Sequence, residues 1–574
     1  MELAFQNLML TLWSWFQSSG AEATELVGPL EAIFGDYAEV GPMVAIGIPL
    51  VGAFVIASLG RWPNFREAAT VVTALTLLHT VSEMIPDALG FGTPSAGETI
   101  VFGEVVPGIP LAFHIEPLGL VYALIASSLW ILNSFYSIGY MRAHAERNQT
   151  RFYTCFALAI ASVMGIAFSA NAFTLFIFYE ALTLTTFPLV SHAGTAHARK
   201  SARTYLGVLV TTSVGFLLVG IVSTYMLTGT LDFSIGGVFR GMLASEEIRP
   251  EIVGTLFFLY IYGIGKAAVM PVHRWLPAAM VAPTPVSALL HAVAVVKAGV
   301  FSVLKVTVYI FGIGAMRDVA AAVIGGNWLV YMACFTILAA SGIAMYQDNL
   351  KRRLAYSTVS QLSYIVLGAA LFSPMGIQGG ALHMAMHAFG KITLFFCAGA
   401  IYVAHHKTEI SDMRGIGRKM PITMIAFILA TLSIIGLPPM GGAWSKWYLM
   451  LGGLQAEQQF ILVVLIISSL MNIAYLLPIG VRAFFSEPPP HKAHHGDGHD
   501  DHGDHGDHGD HGDHGDHGDH GHDDHHGGFW LERFGFQEAP MLCVIPLALT
   551  ALACVVLFIN PDPFLELARA IRVG

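Results

Sequence analysis

Fourteen apolar runs, each about long enough to cross a bilayer, constrain this chain more than any other feature of its sequence. They lie at residues 43–60, 68–85, 117–138, 152–168, 171–190, 205–227, 252–270, 285–311, 321–346, 355–372, 379–404, 422–446, 459–481 and 541–559. A hydrocarbon core of about 30 Å takes about 20 residues of helix. Only 12% of the residues are charged and 55% are hydrophobic, whereas a soluble domain carries about 25% charged residues. That balance excludes an ordinary cytosolic enzyme, a disordered chain and a nucleic-acid binder. It predicts an all-α polytopic membrane protein of about 14 transmembrane helices. Residues 5–17 are apolar but short, and predict either an extra first span or an interfacial helix. They have no basic start and no good cleavage site, so they do not read as a signal peptide. Residues 86–116 hold four acids and no Lys or Arg, and short Val/Ile runs around Gly103 and Gly108 predict a small hairpin. Cys155, Cys334, Cys397, Cys543 and Cys554 all fall inside apolar runs without a C-x-x-C, so no disulfide framework or iron–sulfur site is indicated.

Loop charges orient these spans. Nineteen basic residues, among them Arg61, Arg142, Arg199, Arg274, Lys351, Arg352, Arg353, Lys407, Arg414 and Arg482, fall on one side. Only Arg240, Arg249, Arg317, Arg569 and Arg572 fall on the other. The bias predicts that the base-rich side is cytoplasmic and the protein a multi-pass component of the cell inner (plasma) membrane. In DNLKRRLAYSTVSQ, Lys351, Arg352 and Arg353 read as positive-inside anchors, with Asp348 a solvated or ion-paired loop acid. The net charge of −10 belongs to a single insert, because residues 491–526 hold 14 His, 11 Asp and one Lys.

Five lysines escape the loops. Lys266, Lys297, Lys305, Lys391 and Lys446 lie within or at the edge of spans, together with Glu180 in FIFYEALTL. Each buried charge costs about 2.5–3.5 kcal/mol even on lenient insertion scales, so each needs a partner, water or a task. For Lys305, snorkelling at a helix end is an equally good account. Lys266 sits in YGIGKAAVMPVHRWLP and Lys446 in GLPPMGGAWSKWYLM, both beside Gly and Pro that interrupt a helix. Irregular backbone at membrane depth survives only where protein or a wet cavity satisfies it. Paired interruptions in two halves of a chain point to a transport site. Between them lie His291 and Lys297 in the eighth span, and His383, His387 and Lys391 in the eleventh. The last three recur every four residues and share one helix face. A single such His is ordinarily a satisfied core residue, but three titratable groups on one face point to a proton relay. H-E-x-x-H is absent, so a metal at His383 and His387 is not expected. A lysine exchanged between a carboxylate and a second position changes its proton affinity. Glu180 is the natural charge partner of Lys266, provided that the fifth and seventh spans pack together.

These residues sit in familiar segments. IEPLGLVYALIASSLWILNSFYSIGYM, the Glu180 stretch, GKAAVMPVHRWLPAAMVAPTPVSALLHA, DNLKRRLAYSTVSQLSYIVLG and HAFGKITLFFCAGA resemble the proton-translocating antiporter-like family. That family comprises large membrane subunits of respiratory complex I, membrane-bound hydrogenases and Mrp-type cation/proton antiporters. The resemblance covers residues 113–480 and implies two inverted five-helix repeats with interrupted seventh and twelfth helices. By motif position it implies that Glu180 and Lys266 form an electrostatic switch. His291, Lys297, His383, His387 and Lys391 would carry protons laterally, and Lys446 would be the gate to the outer side. Tyr179 stands where the family often has Trp before the glutamate. A long lateral helix after the His-rich insert is not evident, which favours similarity to the Mrp D subunit. The implied organisation is N-terminal helices and an outer loop over 1–112, the core over 113–480, a cytoplasmic loop over 481–540, and a C-terminal helix and tail over 541–574.

Three functions share such a path: a subunit of a Na+ or K+/proton antiporter, the pumping subunit of an NADH–quinone or hydrogenase-type redox complex, and a membrane partner for inorganic-carbon uptake. Each implies other membrane subunits as partners. No flavin, nucleotide or iron–sulfur motif is present, so no cofactor is expected on this chain and any redox centre belongs to another.

Within the insert, H-G-D repeats six times from His502 to Asp519. Gly and charge at this density predict disorder over 491–527. His502, His505, His508, His511, His514 and His517 are competent but geometrically unfixed ligands for Zn, Ni or Cu. A pH-responsive proton antenna and a bland repeat expansion are the other readings. Deleting 491–527 is expected to leave ion flux intact in a normally assembled complex, measured as proton movement in membrane vesicles; loss of flux would give the insert a direct part in transport.

Overall fold

The computed structural model describes residues 37–90, 99–323, 327–488 and 535–573. Residues 5–17 and the 491–527 insert lie outside these. All fourteen apolar runs correspond to helical segments: α1 Tyr37–Ser58, α2 Pro63–Glu83, α3 Pro117–Ala143, α4 Gln149–Ala167, α5 Ala172–Val190, α6 Ala196–Thr228, α7 Pro250–Gly263, α8 Thr284–Phe311, α9 Trp328–Met345, α10 Leu350–Ala370, α11 Pro374–His405, α12 Pro421–Ile435 with its continuation Gly442–Gln455, α13 Phe460–Phe485 and α14 Met541–Ile559. Eleven are long and apolar enough to cross a membrane on length and composition alone. Two of the others, α7 and α12, are short because each stops at a break. A short amphipathic helix, α15 Asp562–Ala570, follows α14 and buries Phe564, Leu565, Leu567 and Ala568. The expected hairpin forms, with β1 Ile100–Val106 pairing antiparallel to β2 Ile109–Phe113.

Local chemistry sets several boundaries. The Asn349 side chain accepts from the Arg352 amide and starts α10 five residues earlier than hydropathy alone places it. Lys351, Arg352 and Arg353 therefore occupy its first turn rather than a loop. Glu538 accepts hydrogen bonds from the Ile422 and Thr423 amides at the start of α12. Burial raises the pKa of this carboxyl, with the hydrogen bonds acting against that shift. Ile313–Ala322 forms its own helix, so the ninth span begins at Trp328 and not at residue 321.

The helix breaks are where the backbone departs from regularity. After α7 ends at Gly263 the chain makes a 3-10 turn over Gly265–Ala267, passes Ala268 at φ 55°, and resumes helix at Trp275. Trp275 Nε1 donates to the Gly265 carbonyl at 3.0 Å and so satisfies part of the opened backbone. The twelfth span stops at Ile435, turns through Gly436 at φ 84°, and restarts at Gly442. A third interruption was not anticipated: α8 breaks at Val293–Ala294 into Thr284–Ala292 and Val295–Val306. No proline marks it, because Pro283 and Pro285 lie a full helical segment earlier.

Glycines let these breaks dock. A Cβ on Gly299 of α8 would collide with the backbone of Lys266 and Ala267, and one on Gly442 with the Ser433 carbonyl. Gly299→Ala is expected to lower stability by about 1–3 kcal/mol, the usual cost of overpacking. Thermal unfolding of the purified complex checks this; an unchanged midpoint would mean that the Lys266 turn moves aside freely.

Candidate functional site

All five lysines of the apolar runs are buried, with Lys446 at 6% the most exposed. Their partners divide them into two classes. Lys305 forms a 2.7 Å ion pair with Glu116 and donates to the Ser169 carbonyl at 2.6 Å. It thereby ties α8 to the start of α3 and the end of α4. Lys266, Lys297, Lys391 and Lys446 have no carboxylate within 4.0 Å among the described residues; each is held by neutral groups.

Lys266 projects from the 3-10 turn onto α5. Its ammonium donates to the Tyr179 carbonyl and to Thr183 Oγ1, both at 2.7 Å. It lies 3.1 Å from the Tyr179 ring centroid, a cation–π contact. Its own backbone amide donates to the Tyr179 hydroxyl. The fifth span and the seventh break do pack together, yet Glu180 and Lys266 close no ion pair. Glu180 is only partly buried, and its Oε1 is shielded from solvent without a hydrogen-bond partner.

Gly299 seats the Lys266 turn against α8, two residues from Lys297. Lys297 Nζ lies 2.8 Å from His387 Nδ1. One helical turn on, the His383 and His387 rings have centroids 5.9 Å apart. His383 is clamped on both nitrogens, with Nδ1 2.9 Å from Ser445 Oγ and Nε2 3.1 Å from Gln361 Oε1. Ser445 adjoins Lys446, whose ammonium donates to the Ile435 carbonyl at 2.7 Å and to Ser469 Oγ at 2.9 Å. The amine thus meets the carbonyl end of the first half of α12, where a cation is favoured. Lys391 donates to Ser357 Oγ at 2.8 Å, and Tyr475 donates to the same oxygen at 3.0 Å. His291, on α8 before its break, packs on Phe395 with neither ring nitrogen partnered.

Lys297, His387, His383, Ser445 and Lys446 therefore form one contact series, with Lys266 behind one end and Lys391 joining through α11. Sequence reasoning had the titratable members but missed the neutral ones. Ser357, Gln361 and Tyr364 recur along one face of α10, and that 4-then-3 spacing was the available signal. Among the described residues no cluster of His, Cys, Asp and Glu assembles that would hold a metal. His502 and the other insert histidines lie outside them.

Residues 169–472 match the family described as NADH:quinone oxidoreductase/Mrp antiporter, transmembrane. The chain belongs to this family. A relative in Desulforudis audaxviator, NADH-quinone oxidoreductase subunit N, is 33% identical over 462 residues, covering 78% of this chain and 87% of its own length. NAD(P)H-quinone oxidoreductase chain 5 of Synechocystis sp. is 35% identical over 355 residues, or 59% of this chain and 49% of that longer protein. Among solved structures, a chain of the Mrp complex from Dietzia sp. superposes with a TM-score of 0.75 at 20% identity, covering 93% of this chain and 97% of that one. A chain of the membrane-bound sulfane sulfur reductase, an archaeal respiratory membrane complex, gives 0.74 at 21% identity, covering 92% and 96%. The fold is thus that of an antiporter-like membrane subunit of Mrp or complex I-like assemblies.

The Lys297–His387 contact is open to a double-mutant cycle. Lys297→Ala and His387→Ala are expected to be non-additive by about 0.5–3 kcal/mol in thermal stability, as for residues in one network. Additive losses would mean that the two side chains do not depend on each other.

Proposed function

We propose that this chain is the proton-translocating membrane subunit of a multi-subunit monovalent cation (Na+ or K+)/proton antiporter, and that protons move along the buried row. The observation that carries the reading is the class of partner each ammonium keeps. A lysine retained only for structure is best served by a fixed carboxylate, as Lys305 is by Glu116. The amines of the row instead face hydroxyls, imidazoles and carbonyls, partners that tolerate either protonation state. Glu180–Lys266 acts as the electrostatic switch. With Lys266 on Thr183 and Tyr179, Glu180 is left without its counter-charge; with Lys266 swung to Glu180, the ammonium form is favoured. Lys297, His291, His383, His387 and Lys391 pass protons laterally to Lys446, which opens toward the side poor in bases. The base-rich side is cytoplasmic in this reading, and the partners are other membrane subunits.

A redox coupling is the second reading, favoured by the names of the relatives, which are NADH-quinone and NAD(P)H-quinone oxidoreductase subunits. Proton flux through the same row would then be driven by chemistry on another chain. Purified complex in sealed vesicles separates the two. Collapse of an imposed proton gradient on adding Na+ or K+ supports antiport, and proton movement that requires NADH and a quinone supports redox coupling. In either assay Glu180→Ala and Lys266→Ala are each expected to reduce flux by about tenfold or more with assembly retained. Full activity in both would discard the switch.

A further inference from the structure

The three bases of DNLKRRLAYS do not share one task. Arg353 is a staple, donating to the Gln347 carbonyl at 2.8 Å and the Tyr475 carbonyl at 2.9 Å, so that it ties α10 to α9 and α13. Arg352 points to the exposed surface. Lys351 turns inward. Its ammonium donates to the Ala282 carbonyl at 2.6 Å, in the extended link before α8, and it lines a cavity of about 300 Å³ on the base-rich side.

That cavity is chemically unlike the apolar flanks of the bundle. Its wall includes Glu146, His144, Tyr140, Thr284, Lys407 and Thr408. The His144 ring stacks between Tyr140 and Tyr402, at 4.6 and 5.0 Å between centroids. Lys351 has no carboxylate within 4.0 Å among the described residues, so it shares the neutral-partner pattern of the row rather than the pattern of Lys305.

The inner end of the cavity approaches the row along two helices. Lys351 and Ser357 are six residues apart on α10, about 9 Å along the axis at about 1.5 Å per residue. Ser357 is the acceptor of Lys391. Thr284, on the cavity wall, and His291 are seven residues apart on α8, about 10 Å by the same rise. His291 is fully buried, and both its ring nitrogens lack a partner. A gap of this length is what a chain of two or three waters would bridge, with the unpartnered His291 nitrogens as its inner end.

We propose that the Lys351 cavity is the proton-uptake port of the row on the base-rich side, and that Lys351 is its loading residue. A hydronium ion in the cavity gives its proton to the neutral Lys351 amine, so that an N–H bond forms, an O–H bond breaks and water is left behind. The ammonium then passes a proton inward toward His291 and Lys391 and returns to the neutral amine. The inference rests on the reading that the row carries protons. Glu146, His144, Tyr140, Tyr402 and Lys407 are the charged or titratable groups that line the cavity with Lys351, Asp348 and Arg352 flank it in sequence, and His291 lies deeper. Burial lowers the His144 pKa, so that ring is a weaker competitor for the incoming proton.

An anchor and a loading residue make opposite demands on substitution. Arginine keeps the charge and the donor to Ala282 but does not deprotonate in proteins. Lys351→Arg and Lys351→Gln, each in the whole complex in vesicles, are expected to cut proton flux by about tenfold or more. They are also expected to alter its dependence on pH at the base-rich side, with assembly preserved. A wild-type rate and pH profile in Lys351→Arg would overturn the proposal. Should either variant fail to assemble, Thr408→Cys at the rim provides the test. Modification by a bulky thiol reagent is expected to block flux, and full labelling with unchanged flux would overturn the port. Lys446→Ala is the control for the underlying reading. If it transports normally the row itself is wrong, whereas if it is inactive while Lys351→Arg is normal, only the port is wrong.

Discussion

An ammonium group at hydrocarbon depth must be solvated by something, and in this protein that demand organises the bundle. No water is available in the lipid-facing direction, so each lysine turns inward and finds its partners on neighbouring segments of the bundle. Lys266 draws the seventh break onto α5, Lys446 joins the two halves of α12 to α13, and Lys391 joins α11 to α10. The same contacts that make the charges tolerable fix which helices are adjacent. Polar solvation thus supplies packing specificity that lipid-like side chains cannot, since apolar side chains pack against lipid about as well as against each other.

The breaks serve that demand from the other direction. A continuous helix engages its carbonyls in its own hydrogen bonds and offers a lysine only a second lone pair, as the Tyr179 carbonyl of α5 does for Lys266. Interrupting α7 and α12 frees backbone acceptors at membrane depth, and the Ile435 carbonyl goes directly to Lys446. The Gly265 carbonyl is taken by Trp275 and not by a lysine. Freed backbone is therefore divided between closing the break and holding the charge. Gly299 lets the Lys266 turn lie against α8, and Gly442 lets the two halves of α12 lie against each other, closely enough for this exchange.

Much of this was legible in the sequence, for physical reasons that differ by feature. Apolar runs located all fourteen helical segments because lipid punishes polar residues at every turn. Pro438, Pro439, Gly441 and Gly442 announced the break before Lys446, because proline removes a backbone hydrogen bond and glycine weakens a helix. The break at Val293–Ala294 was invisible, since Val and Ala are ordinary helix residues and only tertiary packing interrupts them there. The start of α10 was missed because hydropathy discounts the Lys351–Arg353 turn, although Asn349 caps it. Partners of the lysines were harder still. Ser357, Gln361, Ser445 and Ser469 are unremarkable residues until four helices are brought together, and no local pattern says which hydroxyl meets which amine. The Glu180–Lys266 pairing rested on charge, on the fifth and seventh spans packing together and on motif position; those segments do pack, and the structure holds Lys266 one turn away from Glu180 on Thr183.

The identity of the deep bases carries a final point. The chain has 19 arginines and 10 lysines. Every base inside the apolar runs, Lys266, Lys297, Lys305, Lys391 and Lys446, is a lysine, while all 19 arginines fall outside those runs. If fixed positive charge were all that the interior required, arginine would satisfy it with more donors, a planar fork and weaker hydration. What arginine does not offer is a neutral form, since its guanidinium remains protonated in proteins. A lysine gives up its proton at an energetic cost that burial reduces, and it then leaves behind a neutral amine able to accept the next one. Lys305, paired to Glu116, shows how the protein solvates a lysine beside a fixed carboxylate. Among the described residues the other four have no carboxylate within 4.0 Å, and lysine rather than arginine at their positions agrees with the proton-carrying row proposed above.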